Sequence, residues 1–165
     1  MIVIGIDPGT ATTGYGIVEE DSNGNLISLG YGVVTTRANQ PLEKRLKIIY
    51  EQVSDLILLH QPAGAAVEKL FFKQNVTNAI SVGQARGVVL LALANNNIDV
   101  AEYAPSEVKS AISGYGGADK AQVQAMVKAI LKLDEIPKPD DAADALAIAI
   151  CHINSSGMSN RSSFG

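Results

Sequence analysis

MIVIGIDPGTATTGYGIVEE, residues 1–20, is the stretch whose reading decides the fold. Its first seven residues form an apolar run that ends on a carboxylate, Asp7. A short apolar run bounded by turn residues reads as a buried strand. PGTATT then supplies turn formers, and GYGIVEE reads as the strand returning in a hairpin. Beyond it, DSNGN (21–25) is a turn and LISLGYGVVTT (26–36) a third strand.

Further along, Leu42, Leu46, Ile49, Val53 and Leu56–Ile57 recur at spacings of three and four, which predicts an amphipathic helix over 41–60. Gln61-Pro62 ends it, and AGAAVE (63–68) reads as a short buried strand ending at Glu68. A long helix is expected over 74–94, a fifth strand over 97–103, and helices from Pro105, over 118–133 and from Asp140. The GYGG at 114–117 reads as a loop. Three strands, helix, strand, helix, strand and then helices describe an α/β chain. An antiparallel hairpin pair is extended by parallel strands through right-handed crossovers, with helices on both faces. The expected domain covers 1–153. The polar segment 154–165 (NSSGMSNRSSFG) is expected to be disordered.

Bulk composition narrows the function classes. At 165 residues the chain suits one domain, and 47% hydrophobic residues are enough for a core without disulfides. The single cysteine, Cys151, fits a reducing compartment. No basic leader is expected, and no run is expected to reach the ~18 apolar residues that span a membrane. The expectation is a cytoplasmic protein without membrane contact. A net charge of −4 argues against a generic nucleic-acid coat, unless several acids are metal ligands.

Four acids invite that reading. Asp7 and Glu68 each end a strand, and both emerge at one sheet edge if the strands are parallel. Asp141 and Asp144 are three apart at a helix start and share a face. Converging carboxylates repel one another unless a cation lies among them. Mg²⁺ takes oxygen ligands and keeps positions open for water and phosphate. Spacing alone leaves a plainer account open. Asp7 before Pro-Gly also fits a turn former, and Glu68 a solvated strand end or a partner for Lys69. Asp140, Asp141 and Asp144 also fit a cap plus acids favoured by the helix dipole; Asp140 is assigned the cap.

GIDPGTATTGYG (5–16), AVEKLFFKQN (66–75), GQARGV (83–88), PSEVK (105–109) and DAADALAIAI (141–150) occur in this order. Together they closely resemble the bacterial Holliday junction resolvases of the RuvC family, over about residues 1–152. The resemblance implies a ribonuclease H-like fold and a homodimer that makes paired nicks in four-way junction DNA during recombination and repair. It implies one or two Mg²⁺ ions per site, replaceable by Mn²⁺, and work alongside the bacterial branch-migration motor complex. The family's acidic site maps onto Asp7, Glu68, Asp141 and Asp144. Some members carry His at the position of Asp141, so Asp141 and Asp144 need not be equivalent ligands.

The resemblance also favours Lys109 and Lys120 as phosphate contacts or catalytic cations, and points to Phe71 as a side chain that stacks on an opened base. Phe72, Lys69, Lys73 and Arg86 are further candidate DNA contacts; one of the two Phe is expected in the core. Two other function classes remain open. DPGTATTG also fits a phosphate cradle of an actin-like or sugar-kinase phosphotransferase, although 165 residues cannot supply two lobes. A non-catalytic nucleic-acid module or an RNA-processing nuclease is the third.

Overall fold

The structure, a computed structural model, describes residues 1–70 and 76–162, with side chains through residue 157. Val3, Ile4 and Ile6 are fully buried because strand β1 (Ile2–Asp7) runs through the middle of the sheet with a neighbour on each side. A strand covered on both faces needs a continuous apolar run, which is what residues 2–6 supply. Strand β2 (Thr12–Glu20) returns antiparallel, with Ile2 opposite Glu19 and Asp7 opposite Gly14. Strand β3 (Leu26–Thr35) continues the meander to the sheet edge.

Helix α1 (Leu42–His60) then carries the chain over the sheet, and β4 (Gly64–Glu68) pairs parallel with the free side of β1. Helix α2 (Val76–Asn95) makes a second crossover to β5 (Val100–Tyr103), which pairs parallel with β4. The resulting order is β3-β2-β1-β4-β5, the five-stranded mixed sheet expected from the pattern. Helices α3 (Pro105–Ser113), α4 (Lys120–Ile130) and α5 (Asp140–Ser162) complete the chain.

Alternation along each strand divides the molecule into two cores. Ile4, Ile6, Ile17, Ala65 and Val67 face α1 and α2, packing on Ile49, Val53, Ile57, Val89 and Leu93. Val3, Val18 and Ala66 face α3, α4 and α5, packing on Val108, Val127, Leu146 and Ile150. Each fully buried aliphatic side chain contributes about 1.5–3 kcal/mol. The parity that points Ile4 and Ile6 at α1 and α2 puts Asp7 on the opposite face, under α5. Ala66 is on that face, so Glu68, two residues on, is as well.

Element ends differ from the sequence reading in several places. β2 starts at Thr12 rather than Gly14, and the Thr13 hydroxyl donates to Gly9 O at 2.7 Å, closing the β1–β2 loop on itself. α4 is shorter than 118–133. Asp119 caps it by accepting from Gln122 N at 2.8 Å, and Lys132, at φ 52°, lies beyond its end. The segment expected to be disordered from Asn154 is helical through Ser162. Ser155 and Ser156 hydroxyls donate to the carbonyls of Cys151 and His152, both at 2.8 Å, so these polar residues are accommodated within the helix. α2 is long and apolar enough by length and composition to cross a membrane, although no such run was expected. One side of it is core, where Ala85, Val89, Ala92 and Leu93 are completely buried.

Candidate active site

Asp7 ends the central strand and Asp141 and Asp144 occupy the first turn and a half of α5. Three glycines bring those elements together. A Cβ on Gly5 would lie 2.1 Å from Ala145 O, and one on Gly14 would lie 2.0 Å from Asp141 O. A Cβ on Gly16 would fall 2.8 Å from Leu146 N. α5 therefore rests its backbone directly on β1 and β2, at a separation that no side-chain-bearing residue allows. Ala142, Ala143 and Ala145, all buried, keep the helix slim at the same level.

The result is a carboxylate cluster. One oxygen each from Asp7, Asp141 and Asp144 lies within 4.8 Å of the others. Glu68 stands beside them, lining with Asp7, Asp144, Lys109 and Lys120 a cavity of about 280 Å³. Pro105, Val108, Val123, Ala147 and Ile148 form its apolar wall. Burial first, then the charges of Asp144, Asp141 and Glu68, push the Asp7 carboxyl up to about 8. Burial and Asp144 raise Glu68, with Lys109 pulling the other way. Burial also raises Asp144 against the opposing pull of Lys120. Such crowding is costly in an apolar pocket without a compensating charge. The donors are all carboxylate oxygens, the set a hard divalent cation prefers. These residues fit Mg²⁺ chemically, and the four acids singled out from sequence are found together.

The remaining candidates divide. Lys109 is half-buried in the cavity wall. The Lys120 ammonium, at its mouth, is 3.1 Å from Asp140 and 3.6 Å from Asp144. Burial alone would lower Lys120, but those carboxylates outweigh it and hold its pKa above the ordinary value. Asp140 does not cap α5. Pro139 O accepts the first helical bonds from Ala142 and Ala143, and Asp140 turns outward to Lys120 and to Gln124 Nε2 at 3.0 Å. Lys69 lies 4.0 Å from Glu107 and stays half-exposed. Phe71, Phe72 and Lys73 lie outside the described residues.

Arg86, expected among the DNA contacts, is instead buried. It donates to Glu68 O at 2.8 Å and to the Glu102 carboxylate. Its position on an apolar helix gave no sign of which side it faced. Nor did sequence reveal the anchor of the β1–β2 loop: Thr10 donates to Ser81 O at 2.7 Å and accepts from Ser81 Oγ at 2.8 Å. Gly9 N donates to Thr13 Oγ1 at 3.3 Å. Thr13 thus serves the loop's own closure and Thr10 its anchoring to α2, which gives the phosphate-cradle reading no support.

Comparison with known proteins decides the family. The model of the crossover junction endodeoxyribonuclease RuvC family matches residues 3–152. The chain belongs to the RuvC family. A crossover junction endodeoxyribonuclease RuvC from Desulfitobacterium hafniense (strain Y51) is 54% identical, the match covering 98% of this chain and 97% of that one. The structure of Thermus thermophilus RuvC superposes with a TM-score of 0.90 at 38% identity, covering 96% of this chain and 97% of the other. T. thermophilus RuvC in complex with Holliday junction substrate gives a TM-score of 0.88 at 35% identity and 96% coverage of each chain. The ribonuclease H-like α/β fold implied by the sequence motifs is therefore the fold of this RuvC-family chain.

Proposed function

We infer that this chain is a structure-selective endonuclease that resolves four-way DNA junctions by metal-dependent phosphodiester hydrolysis, in recombination and repair. The observation that carries the reading is the convergence of Asp7, Asp141 and Asp144, with Glu68 beside them, at a cavity that Asp7, Glu68 and Asp144 line together with Lys109 and Lys120. Mg²⁺, with Mn²⁺ able to replace it, is the proposed cation, as one or two ions per site held by these four carboxylates. When bound, such ions would supply Lewis-acid chemistry there, activation of the attacking water and stabilisation of the leaving oxygen.

The chain's own residues do the rest. The apolar wall of Val108, Val123 and Ile148 excludes water and strengthens every charge interaction inside. Lys109 and Lys120 draw the scissile phosphate in and offset the charge that grows on it in the transition state. Lys120 has three donors, so it can hold Asp140 and still offer an N–H to phosphate. Phe71 is the proposed stacking residue at the junction, with Phe72, Lys69 and Lys73 as neighbouring contacts.

A homodimer matches the two equivalent strands of a junction. Val76, Ile80 and Leu91 on α2 are exposed, and Gly83 and Gly87 face open space. At 100° per residue these five positions form one stripe. Ile80→Asp is expected to convert a dimer to a monomer in sedimentation at micromolar concentration. Paired nicking should fall to single nicks. A monomeric wild type would remove this assignment. A motor that migrates the branch point and presents successive sequences to the two sites is the proposed further partner. A cytoplasmic location accompanies this reading, in keeping with the free, buried Cys151.

The test uses a synthetic four-way junction, a duplex of the same sequence and an RNA–DNA hybrid. Each is incubated with Mg²⁺ or with chelator. Symmetric nicks in the junction alone, only with Mg²⁺, are expected. Equal cutting of duplex or hybrid would point to a different nuclease, and no metal-dependent cutting would remove the enzyme reading.

A further inference from the structure

Arg86 is the one fully charged side chain buried in the interior among the described residues. Burying a guanidinium is expensive unless its donors are satisfied, so its partners show what the cost sustains. We propose that Arg86 is a positioning residue for Glu68, holding the end of β4 so that the Glu68 carboxylate is presented to the metal cluster.

The geometry of β4 shows why a hold is needed there. On the β1 side the ladder ends with Ile6 opposite Val67. On the β5 side it runs one residue further, with Glu68 opposite Tyr103, and Lys69 N donates to Tyr103 O at 2.8 Å. Glu68 thus belongs to the sheet on one side only, immediately before the chain leaves it. Arg86 Nη1 supplies a partner for its carbonyl at 2.8 Å, while Nη2 is bound to Glu102 on β5. One planar fork from α2 therefore joins the last peptide of β4 to the neighbouring strand. A lysine, with a single nitrogen, cannot reproduce two donors set apart in a rigid plane.

Arg86 grips the backbone and not the carboxylate. Asp144 and Lys109 act on the Glu68 carboxyl, which also shares a charge interaction with Asp7. The side chain is left available to a cation, and its root is fixed from behind. Residues that orient metal ligands in this way typically carry ~10–100-fold in metal affinity or activity. This inference rests on the reading of Glu68 as a metal ligand.

The test compares wild type, Arg86→Met, Arg86→Lys and Glu68→Gln. Mn²⁺ binding is measured by calorimetry without DNA, junction affinity in chelator, and folding by thermal melting. Arg86→Met is expected to weaken Mn²⁺ binding by about tenfold or more. It should raise the Mg²⁺ needed for half-maximal cleavage by a similar factor, with junction affinity in chelator unchanged. Arg86→Lys, which keeps the charge but has a single nitrogen to reach one of the two acceptors, should recover part of the loss. It also provides the measurement if the Met variant does not fold.

Wild-type Mn²⁺ affinity in a folded Arg86→Lys or Arg86→Met protein would overturn the proposal. So would a loss confined to junction affinity in chelator, which would return Arg86 to the DNA contacts. If Glu68→Gln binds Mn²⁺ as tightly as wild type, the reading of Glu68 fails and the role of Arg86 fails with it. A weakened Glu68→Gln beside an unaffected Arg86 variant would overturn the role of Arg86 alone.

Discussion

Asp7→Asn is expected to reduce junction cleavage about a thousandfold or more, the several kcal/mol that a catalytic cation supplies. Fold and junction binding in chelator should persist, because Asn keeps the shape of the side chain and, like the protonated Asp7 of the metal-free protein, carries no charge. The same substitution has a second signature, in stability against pH. Asp7 rises from an ordinary 3.8 to about 8 in the folded, metal-free protein. The folded state therefore holds its proton more tightly than the unfolded chain. That stabilisation is complete below about pH 4 and is lost as pH rises through about 8. Wild type in chelator should melt progressively lower across this window, and Asp7→Asn should show a flatter profile. Mg²⁺ should restore wild type at the alkaline end, with a proton released on binding near neutrality. A melting profile equally steep in the Asn variant would show that Asp7 is not the group responsible.

Gly14→Ala should be nearly as damaging, although Gly14 has no side chain to contribute. Its new methyl would lie 2.0 Å from Asp141 O and 2.4 Å from Asp141 C, both backbone atoms that cannot rotate away. Either β2 or the opening turn of α5 must move, and that turn carries two of the cluster's carboxylates. A misplacement of about 1 Å at a catalytic group costs ~100-fold in rate. Overpacking itself destabilises by about 1–3 kcal/mol. The expected result is a folded protein with a lower melting temperature, about a hundredfold slower cleavage and weaker Mn²⁺ binding. Gly157→Ala, on the same helix but meeting nothing within 4 Å, is the control. It should leave cleavage unchanged and be neutral or slightly stabilising. Wild-type rates in Gly14→Ala would show that the close contact does not set the site.

These two variants mark how far the site could be read in advance. Asp7 was visible because a carboxylate closing an apolar run is conspicuous, and Asp141 and Asp144 because three residues of helix return a side chain to the same face. Their chemistry was recognisable by type. The contact at Gly14 was not visible, because glycine in a GYG string reads equally well as a turn. Only the register of β2 against α5 shows what it avoids. Arg86 failed for a related reason. A lone arginine in GQARGV has no periodic partner to reveal its side, and the carbonyl and carboxylate that claim it come from β4 and β5. Asp140 looked like a cap because it precedes a helix, yet Lys120 from another helix claims its carboxylate. The tail reading relied on polar composition, which does not register that serines can donate to carbonyls four residues back.

Local pattern sufficed for the order and kind of the strands and helices, since strand and helix periods of two and 3.6 residues are written in apolar spacing. It also sufficed for the motifs that place the chain in its family. The distances among the four acids, the fork that holds Glu68 and the seating of α5 on glycine are products of the assembled fold. They depend on atoms brought together from positions far apart in the chain, and no local spacing encodes which of those atoms will meet.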